Sequence, residues 1–444
     1  MNAEVRQMKS AAELALADAY ARAKPALPGG GKVAALREDA FQRFDASGLP
    51  HRRVEEWKYT DLRALMRDAK PLATPPDAQA KARAKDAGKI LADIEARRLV
   101  FVDGAFVREL SDLEGLEPGL HIGSMAQALA AGDPLTTAHL GRVLPGQEDV
   151  ALALNTAFMN DGALIHVTAG IAVERPLHLV FVASGTQPAS IFARSLVVID
   201  QGARVMLVET HEGFAGRDYQ VNAALELVVG DDAHVDHVKI TAEGPGALHV
   251  ATLIASIGAH ARFNAFTFTT GGAVVRNQLF VRFAGEGTLA GIGGVALLRD
   301  RQHADTTLIA DHAAALGQSR EMFKSVLDGR SRGVFQGKII VRPHAQKTDA
   351  KMATHALLLS DDAEADNKPE LEIFADDVQC GHGATAGALD DDLLFYLKAR
   401  GLPAKDAASL LIQAFVGEAI EGIEHAGLRE ALMEAAAAWL AARE

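Results

Sequence analysis

The residues best suited to nucleophilic catalysis or metal binding lie in one short stretch, Asp376 to Thr385. It contains Cys380, the only cysteine of the chain, and His382 two positions later. If the stretch is extended, the two-residue period of a β-strand places Asp376, Val378, Cys380 and His382 on one face. An imidazole beside a thiol can stabilise the thiolate, which is the form that attacks electrophiles and binds soft metals. The alternative is that Cys380 is a small buried apolar residue and His382 an ordinary polar one.

The composition bounds the classes of function. The 444 residues suffice for two or three domains, and 49% of them are hydrophobic, which supports a substantial core. The net charge of -13, with no basic stripe in the sequence, argues against partners such as nucleic acid or an anionic membrane surface. No run is apolar for long enough to span a bilayer, and the N-terminal pattern is not that of a secretory signal. With one cysteine and no intrachain disulfide, we expect a cytoplasmic protein.

The pattern of the sequence divides the chain into three regions. Residues 1–98 carry alanine, leucine and charged residues at helical spacing and predict an N-terminal helical region. Residues 99–387 are dominated by short alternating apolar segments that predict strands, so the protein is expected to be mainly β. Residues 388–444 return to helical spacing after the acidic run Asp390-Asp391-Asp392, which favours a helix N-terminus, and predict a C-terminal helical domain.

A turn motif recurs within the strand region. A small or acidic residue followed by a second small residue appears at Gly202-Ala203, Asp232-Ala233, Gly258-Ala259 and Gly287-Thr288, and the starts are 26 to 30 residues apart. A nearly constant period with short strands between the turns predicts a β-helix, or solenoid. A two-sheet sandwich is the alternative, but a sandwich does not require a constant turn period.

Other candidate sites rest on weaker patterns. A metal site is one of them, but no His-Glu-x-x-His or paired-cysteine spacing groups the available side chains, which are His234, Asp236, His237, His303, Asp305, Asp311 and His312. A carbohydrate-active β-helix enzyme needs paired carboxylates on a sheet face, whereas Asp231-Asp232 and Asp361-Asp362 stand in predicted turns. A Cys-His hydrolase would need an orienting residue, and no such signature surrounds Cys380. No phosphate-binding loop for a nucleotide is present in the sequence.

Several ordered motifs resemble the SufB/SufD family of iron-sulfur cluster assembly proteins. They are Lys324 to Gly329, Val334 to Ile339, Ala345 to Asp349, Leu357 to Ser360, Cys380 with His382-Gly383-Ala384-Thr385, Phe395-Tyr396-Leu397 and Arg400-Gly401. The last three motifs, together with Glu55 to Thr60, are similar to the SufD branch of this family. Gly381 departs from the pattern, because relatives often carry serine there. The multi-cysteine N-terminal motif of many SufB chains is absent.

The resemblance implies a right-handed parallel β-helix core between helical regions, and a non-catalytic scaffold role. A SufB-type subunit would pair with the β-helix, and a SufC-type ABC ATPase would bind the C-terminal helices. The candidate contacts for the ATPase are Phe395, Tyr396, Arg400 and Phe415. Cys380 and His382 become candidate ligands of a transient iron-sulfur cluster or iron at the SufB contact, where the partner must supply the remaining ligands. A homodimer is one possible state of the isolated chain.

Overall fold

The computed structural model describes residues 8–144, 146, 148–214 and 216–443. Residues 1–7 and 444, which the predicted helical regions include, lie outside the described residues. The α-helices are α1 Ala11–Ala23, α2 Lys32–Ser47, α3 Leu62–Leu65, α4 Ala78–Ala84, α5 Met125–Ala131, α6 Pro134–His139, α7 Val150–Phe158, α8 Asp391–Ala399, α9 Ala404–Ile420 and α10 Ala426–Ala441. Local chemistry explains their ends. Ser10 and Glu13 form a reciprocal capping box at α1, and the Asp390 carboxylate caps α8.

The strands occupy most of the chain between α4 and α8. They are β1 Arg97–Val102, β2 Ala105–Phe106, β3 Leu120–Ser124, β4 Ala163–Val167, β5 Leu177–Ala183, β6 Ala189–Ile199, β7 Arg204–Gly213, β8 Tyr219–Val229, β9 His234–Ala242, β10 Leu248–Ile257, β11 Arg262–Thr269, β12 Val274–Phe283, β13 Leu289–Leu298, β14 His303–His312, β15 Gln318–Leu327, β16 Arg332–Val341, β17 Asp349–Leu358, β18 Glu364–Ile373 and β19 Gln379–Gly387.

The strands wind into a parallel β-solenoid of about eight turns. One sheet has ten strands in the order β19-β17-β15-β13-β11-β9-β7-β5-β1-β2, and the other has nine in the order β18-β16-β14-β12-β10-β8-β6-β4-β3. From β4 onwards, consecutive strands therefore alternate between the sheets, and neighbours within a sheet run parallel. Antiparallel pairing among the described strands occurs at β1–β2 and β3–β4. The predicted solenoid is confirmed, and the sandwich alternative is wrong.

The recurrent turn has a structural cause. Two residues before each strand from β7 to β17 in the ten-stranded sheet, the backbone is left-handed, at Gly202, Asp232, His260, Gly287, Leu316 and Lys347. The N–H group of each of these residues donates to a carbonyl of the next turn, as from Asp232 to Ala259 at 2.8 Å. The turns therefore form a hydrogen-bonded ladder beside the sheets. Counted between the left-handed residues, the period is 27 to 31 residues.

Helices cover the outer faces of both sheets. The helices α1, α2 and α7 pack on the nine-stranded sheet, where they contact Phe192 of β6 and Val250 of β10. The helices α9 and α10 pack on the ten-stranded sheet against residues such as Phe268 of β11 and Leu297 of β13. The strands beneath these helices are consequently apolar on both faces, as buried parallel strands are. Within the described ranges, none of the helices combines the length and hydrophobicity that a bilayer crossing requires.

Candidate functional site at the last strand of the solenoid

Cys380 and His382 lie on β19, the last strand of the ten-stranded sheet. Their neighbours on β17 are Ala350 and Met352, respectively. Both of these neighbours are buried in the core between the two sheets, and residues two apart on a strand share a face. The two candidate ligands therefore face the interior of the solenoid at one of its ends. The predicted shared face for Cys380 and His382 agrees with this arrangement.

The backbone between β18 and β19 differs from the prediction. A continuous extended segment through Asp376 is wrong, because β18 ends at Ile373 and β19 begins at Gln379. Between them the chain crosses from one sheet to the other, and the Asp377 carbonyl accepts a hydrogen bond from the Lys347 N–H group at 2.6 Å, as the last rung of the turn ladder. Asp376 is thus an exposed turn residue that does not share a strand with Cys380.

The end of the solenoid that carries the site is open. Among the described strands, β19 pairs with β17 alone and β18 pairs with β16 alone. Most side chains of both strands are partly or fully exposed. At the end of β18, the apolar side chains of Ile373 and Phe374 are 41% and 57% exposed. Unpaired strand edges beside exposed apolar side chains form a surface on which another chain can continue the sheet.

The surroundings of Cys380 favour its thiol form in this chain alone. Burial raises the pKa of the Cys380 thiol, and the carboxylates of Asp349 and Glu321 raise it further, against an opposing contribution from the Ala350 backbone. In the free chain these contributions oppose the thiolate form that a neighbouring imidazole can stabilise. A bound cation would reverse this preference, because metal binding deprotonates a coordinating thiol.

The other predicted metal ligands do not form one site. In the part of the chain that the structure describes, two groups of three side chains bring ligand atoms within 4.8 Å of one another, namely His211, Glu243, His249 and, separately, His234, Asp236, Glu424. The remaining candidates contact other side chains instead, and the Thr60 hydroxyl contacts both His303 and Asp305. His237 contacts Glu209 at 2.7 Å, His303 contacts Thr60 at 2.8 Å, Asp305 pairs with Arg276, Asp311 pairs with Arg342, and His312 contacts Ser319 at 3.0 Å.

A buried polar cluster inside the solenoid is not predicted by the sequence. The His249 imidazole lies 2.9 Å from a Glu243 oxygen through Nδ1 and 3.0 Å from Lys239 Nζ through Nε2. Burial lowers the pKa of Lys239 to about 8 and that of His211, beside it, to about 4. These side chains come from β7, β9, the position directly after β9, and β10, whose spacing along the sequence gives no sign of their proximity. Their mutual contacts satisfy most of their polar atoms within the core.

The predicted ATPase contacts fall on two sides of the C-terminal helices. Helix α8 has no buried residue, and Phe395 and Tyr396 on it are 72% and 53% exposed. The Arg400 guanidinium lies 5.0 Å from the centroid of the Tyr396 ring. Phe415 instead lies between α9 and the ten-stranded sheet, where Lys324 Nζ is 4.4 Å from its ring centroid. The exposed patch on α8 is thus separate from Phe415, which contributes to the attachment of α9.

Comparisons with known proteins identify the family to which the chain belongs. The family model for the SUF system FeS cluster assembly SufBD core domain matches residues 181–415, and the model for the SufBD protein N-terminal region matches residues 15–179. A parallel solenoid with these two regions defines an iron-sulfur cluster assembly protein of the SufBD class. The chain belongs to the SufBD family.

Individual relatives align over almost the whole chain. The iron-sulfur cluster assembly SufBD family protein slr0076 of Synechocystis sp. is 31% identical over 90% of this chain and 89% of its own length. The iron-sulfur cluster assembly protein SufD of Escherichia coli is 30% identical over 91% of this chain and 92% of its own length. The chloroplastic protein ABCI7 of Arabidopsis thaliana is 28% identical over 89% of this chain and 83% of its own length.

Proposed function

We propose that the protein is a non-catalytic, SufD-type scaffold subunit that contributes Cys380 and His382 to a transient iron or iron-sulfur site. The observation that supports this role most directly is the pair of side chains on the inner face of β19, at a sheet edge with no further strand among the described residues. A thiolate and an imidazole are both ligands that iron accepts. The cluster would be a product that is assembled at the site and transferred to another protein. We propose that the protein acts in the cytoplasm.

The incompleteness of the site supports a shared arrangement. Neither Cys380 nor His382 belongs to the groups of three ligands that the described residues form, and an iron-sulfur centre needs more than two protein ligands. A SufB-type subunit that docks on the edges of β18 and β19 would bring its own ligands to the inner face of β19. The exposed Ile373 and Phe374 supply apolar contact area for such a partner.

The exposed face of α8 supports a second contact, with a SufC-type ATPase. Leu393, Phe395 and Tyr396 are more than half exposed, and Leu410 of α9 is 48% exposed. Large aromatic side chains with an arginine beside them are the residues that carry most binding energy in protein interfaces. Because the sequence has no phosphate-binding loop, the ATPase activity of the complex would belong to the partner.

The ligand role is tested by Cys380→Ser and His382→Ala in the complex assembled with SufB-type and SufC-type partners. The matched control is Gln379→Ala, on the same strand but on the opposite face. We expect all three variants to melt near the parent temperature and to assemble, because none fills a well-packed position. The two ligand variants should lose the visible absorption of a reconstituted cluster, and the control should keep it. Full cluster formation by both ligand variants would refute the role.

The two contact surfaces are tested by removing exposed apolar side chains. Phe374→Ser should weaken binding of the SufB-type subunit, whereas Leu316→Ser, which alters a similarly exposed residue in a turn, should not. Phe395→Ala should weaken binding of the SufC-type ATPase, with Leu14→Ala on α1 as its control. Point variants suit this purpose better than deletion of the C-terminal helices, because α9 and α10 cover apolar residues of the ten-stranded sheet.

The same open edge supports a homodimer of the isolated chain. Without a SufB-type partner, a second copy would find the unpaired strands β18 and β19 and the apolar side chain of Phe374. Phe374→Ser should then shift the isolated protein toward the monomer in analytical ultracentrifugation. A dimer that is unchanged by this substitution would place the dimer contact elsewhere.

A further inference from the structure

Glu321 is a buried carboxylate without a partner inside the solenoid. It lies on β15, its exposed fraction is 2%, and neither carboxylate oxygen has a hydrogen-bond partner within the described part of the chain. The neighbouring hydroxyl of Ser319, which contacts His312 at 3.0 Å, is close enough to Glu321 to lower the pKa of its carboxyl group against the effect of burial. Buried polar groups are almost always paired, so an orphaned carboxylate calls for a specific explanation.

The strand register places Glu321 behind the candidate iron ligands. Along the ten-stranded sheet, Glu321 is next to Met352, and Met352 is next to His382. Since neighbouring strands are about 4.8 Å apart, the backbones of Glu321 and His382 are about 10 Å apart, which the two long side chains can span. The parallel row beneath Cys380 contains only the small residues Ala350 and Ser319.

No cation of the described residues is directed at this carboxylate. The guanidinium of Arg320 points outward and bonds Asp349 at 2.7 Å, and Lys324 pairs with Glu418 on the outer face. Burial raises the pKa of Glu321 to about 7, and Glu321 in turn contributes to the raised pKa of the Cys380 thiol. A positive ion beside Glu321 would stabilise its buried anionic form.

We propose that Glu321 is a third iron-binding residue of this chain, which receives a ferrous ion on the inner side of Cys380 and His382. The inference rests on the proposed function. Iron stays divalent on binding, Cys380 and Glu321 each release one proton, and His382 binds as neutral imidazole. The charges of one thiolate and one carboxylate then balance those of the ion, so the buried assembly is neutral. A thiolate, an imidazole and a carboxylate form a mixed set that suits ferrous iron and cobalt.

The test measures binding of Co²⁺, as a spectroscopic substitute for Fe²⁺, to the purified full-length chain under anaerobic conditions. Glu321→Gln keeps the shape of the side chain and removes its charge, and Glu364→Gln on the exposed strand β18 is the matched control. We expect Glu321→Gln to weaken Co²⁺ binding at least tenfold, and Fe²⁺ binding in a chelator competition equally. The thiolate-to-cobalt absorption should persist at saturating Co²⁺, because Cys380 is intact. Glu364→Gln should bind like the parent protein.

Two further variants separate this inference from the proposed function. Cys380→Ser should abolish the thiolate-to-cobalt absorption, and Glu321→Asp should recover part of the lost affinity because it restores the carboxylate. If Glu321→Gln binds Co²⁺ as tightly as the parent while Cys380→Ser does not, Glu321 is no ligand and the proposed function stands. If the parent binds no Co²⁺ at millimolar concentration, the three-residue site is refuted. If Cys380→Ser and His382→Ala both leave binding unchanged, the ligand role itself fails.

Discussion

The guanidinium group of Arg276 lies 3.9 Å from the centroid of the Trp57 ring. Arg276, on β12, also pairs with the buried carboxylate of Asp305 on β14 and donates a hydrogen bond to the Glu56 carbonyl at 2.7 Å. The Trp57 Nε1–H group donates to Asp149 at 3.0 Å. One buried arginine thus attaches the segment between α2 and α3 to the outer face of the nine-stranded sheet.

Trp57→Ala should lower the free energy of unfolding by about 3 to 5 kcal/mol, as truncation of a fully buried aromatic side chain does. The measurement is equilibrium denaturation in urea. Tyr59→Ala is the control, because Tyr59 is only partly buried, with Arg332 6.0 Å from its ring centroid. An equal loss of stability in the two variants would contradict a specific anchoring role for Trp57.

Arg276→Met should lower the free energy of unfolding by about 3 to 5 kcal/mol, because it leaves the Asp305 carboxylate buried without its cation. In the double variant with Asp305→Leu, the isolated charge is gone, so much of this loss should be recovered. A double-mutant cycle by urea denaturation measures the coupling. Additive effects of the two substitutions would show that the ion pair does not act as a unit.

Glu321→Gln should stabilise the protein increasingly as pH rises. Burial raises the pKa of the folded-state carboxyl to about 7, from about 4.3 when the chain is unfolded. Between these values the folded state binds more protons than the unfolded state, so the parent loses stability as pH rises. The advantage of the variant should grow by about 2 to 3 kcal/mol between pH 5 and pH 8. Denaturation curves at both pH values check this, and a constant difference would contradict it.

His312 should make the protein sensitive to acid. Burial lowers its pKa in the folded state to about 4, so below about pH 6.5 the unfolded state takes up a proton that the folded state refuses. Stability contributed by neutral His312 is therefore lost as pH falls from about 6.5 to 4, by on the order of 3 kcal/mol. Stability profiles of His312→Gln should be less steep over this range. The exposed His344→Gln should follow the parent, and identical profiles for all three proteins would count against the assignment.

Leu316→Gly should stabilise the turn ladder. Leu316 has a φ of 62° and is 46% exposed, so the left-handed backbone costs about 1 to 2 kcal/mol while its side chain gains little burial. After the entropic cost of glycine, the net gain should be roughly 0.5 to 1 kcal/mol. Leu316→Ile should have the opposite effect, because a branched side chain fits this backbone poorly. Thermal unfolding of the two variants should show shifts of opposite sign.

Regular features of the sequence predict the solenoid well. The turns at Gly202, Asp232 and Gly287 recur because each left-handed residue must stack on the next, and this constraint is visible as a period. The spacing of Cys380 and His382 likewise predicts a shared face. The ends of strands are less visible, since the crossing between Ile373 and Gln379 has no glycine or proline to mark it.

Which face of a strand is the interior could not be predicted. Helices cover the outside of both sheets, so apolar residues occupy both faces of the strands. The two-residue period therefore does not show which face lies inside the solenoid. On β15, Glu321 points into the solenoid whereas Lys324 points outward to Glu418 on α9. The sequence alone does not show that the two charged side chains point in opposite directions. Only the winding of the chain brings Glu321 into line with Met352 and His382, which are 31 and 61 residues further on.

The open end of the solenoid makes stability uneven along its axis. In a chain of stacked turns, each turn is held mainly by its two neighbours, and a terminal turn has only one. Strands β18 and β19 also lack the helical covering of the inner turns. Fraying should therefore begin at these strands, and their amide hydrogens should exchange with solvent before those of β14 to β16. The two residues best able to bind iron thus sit on the most weakly held turn, and a docked partner would supply its missing neighbour.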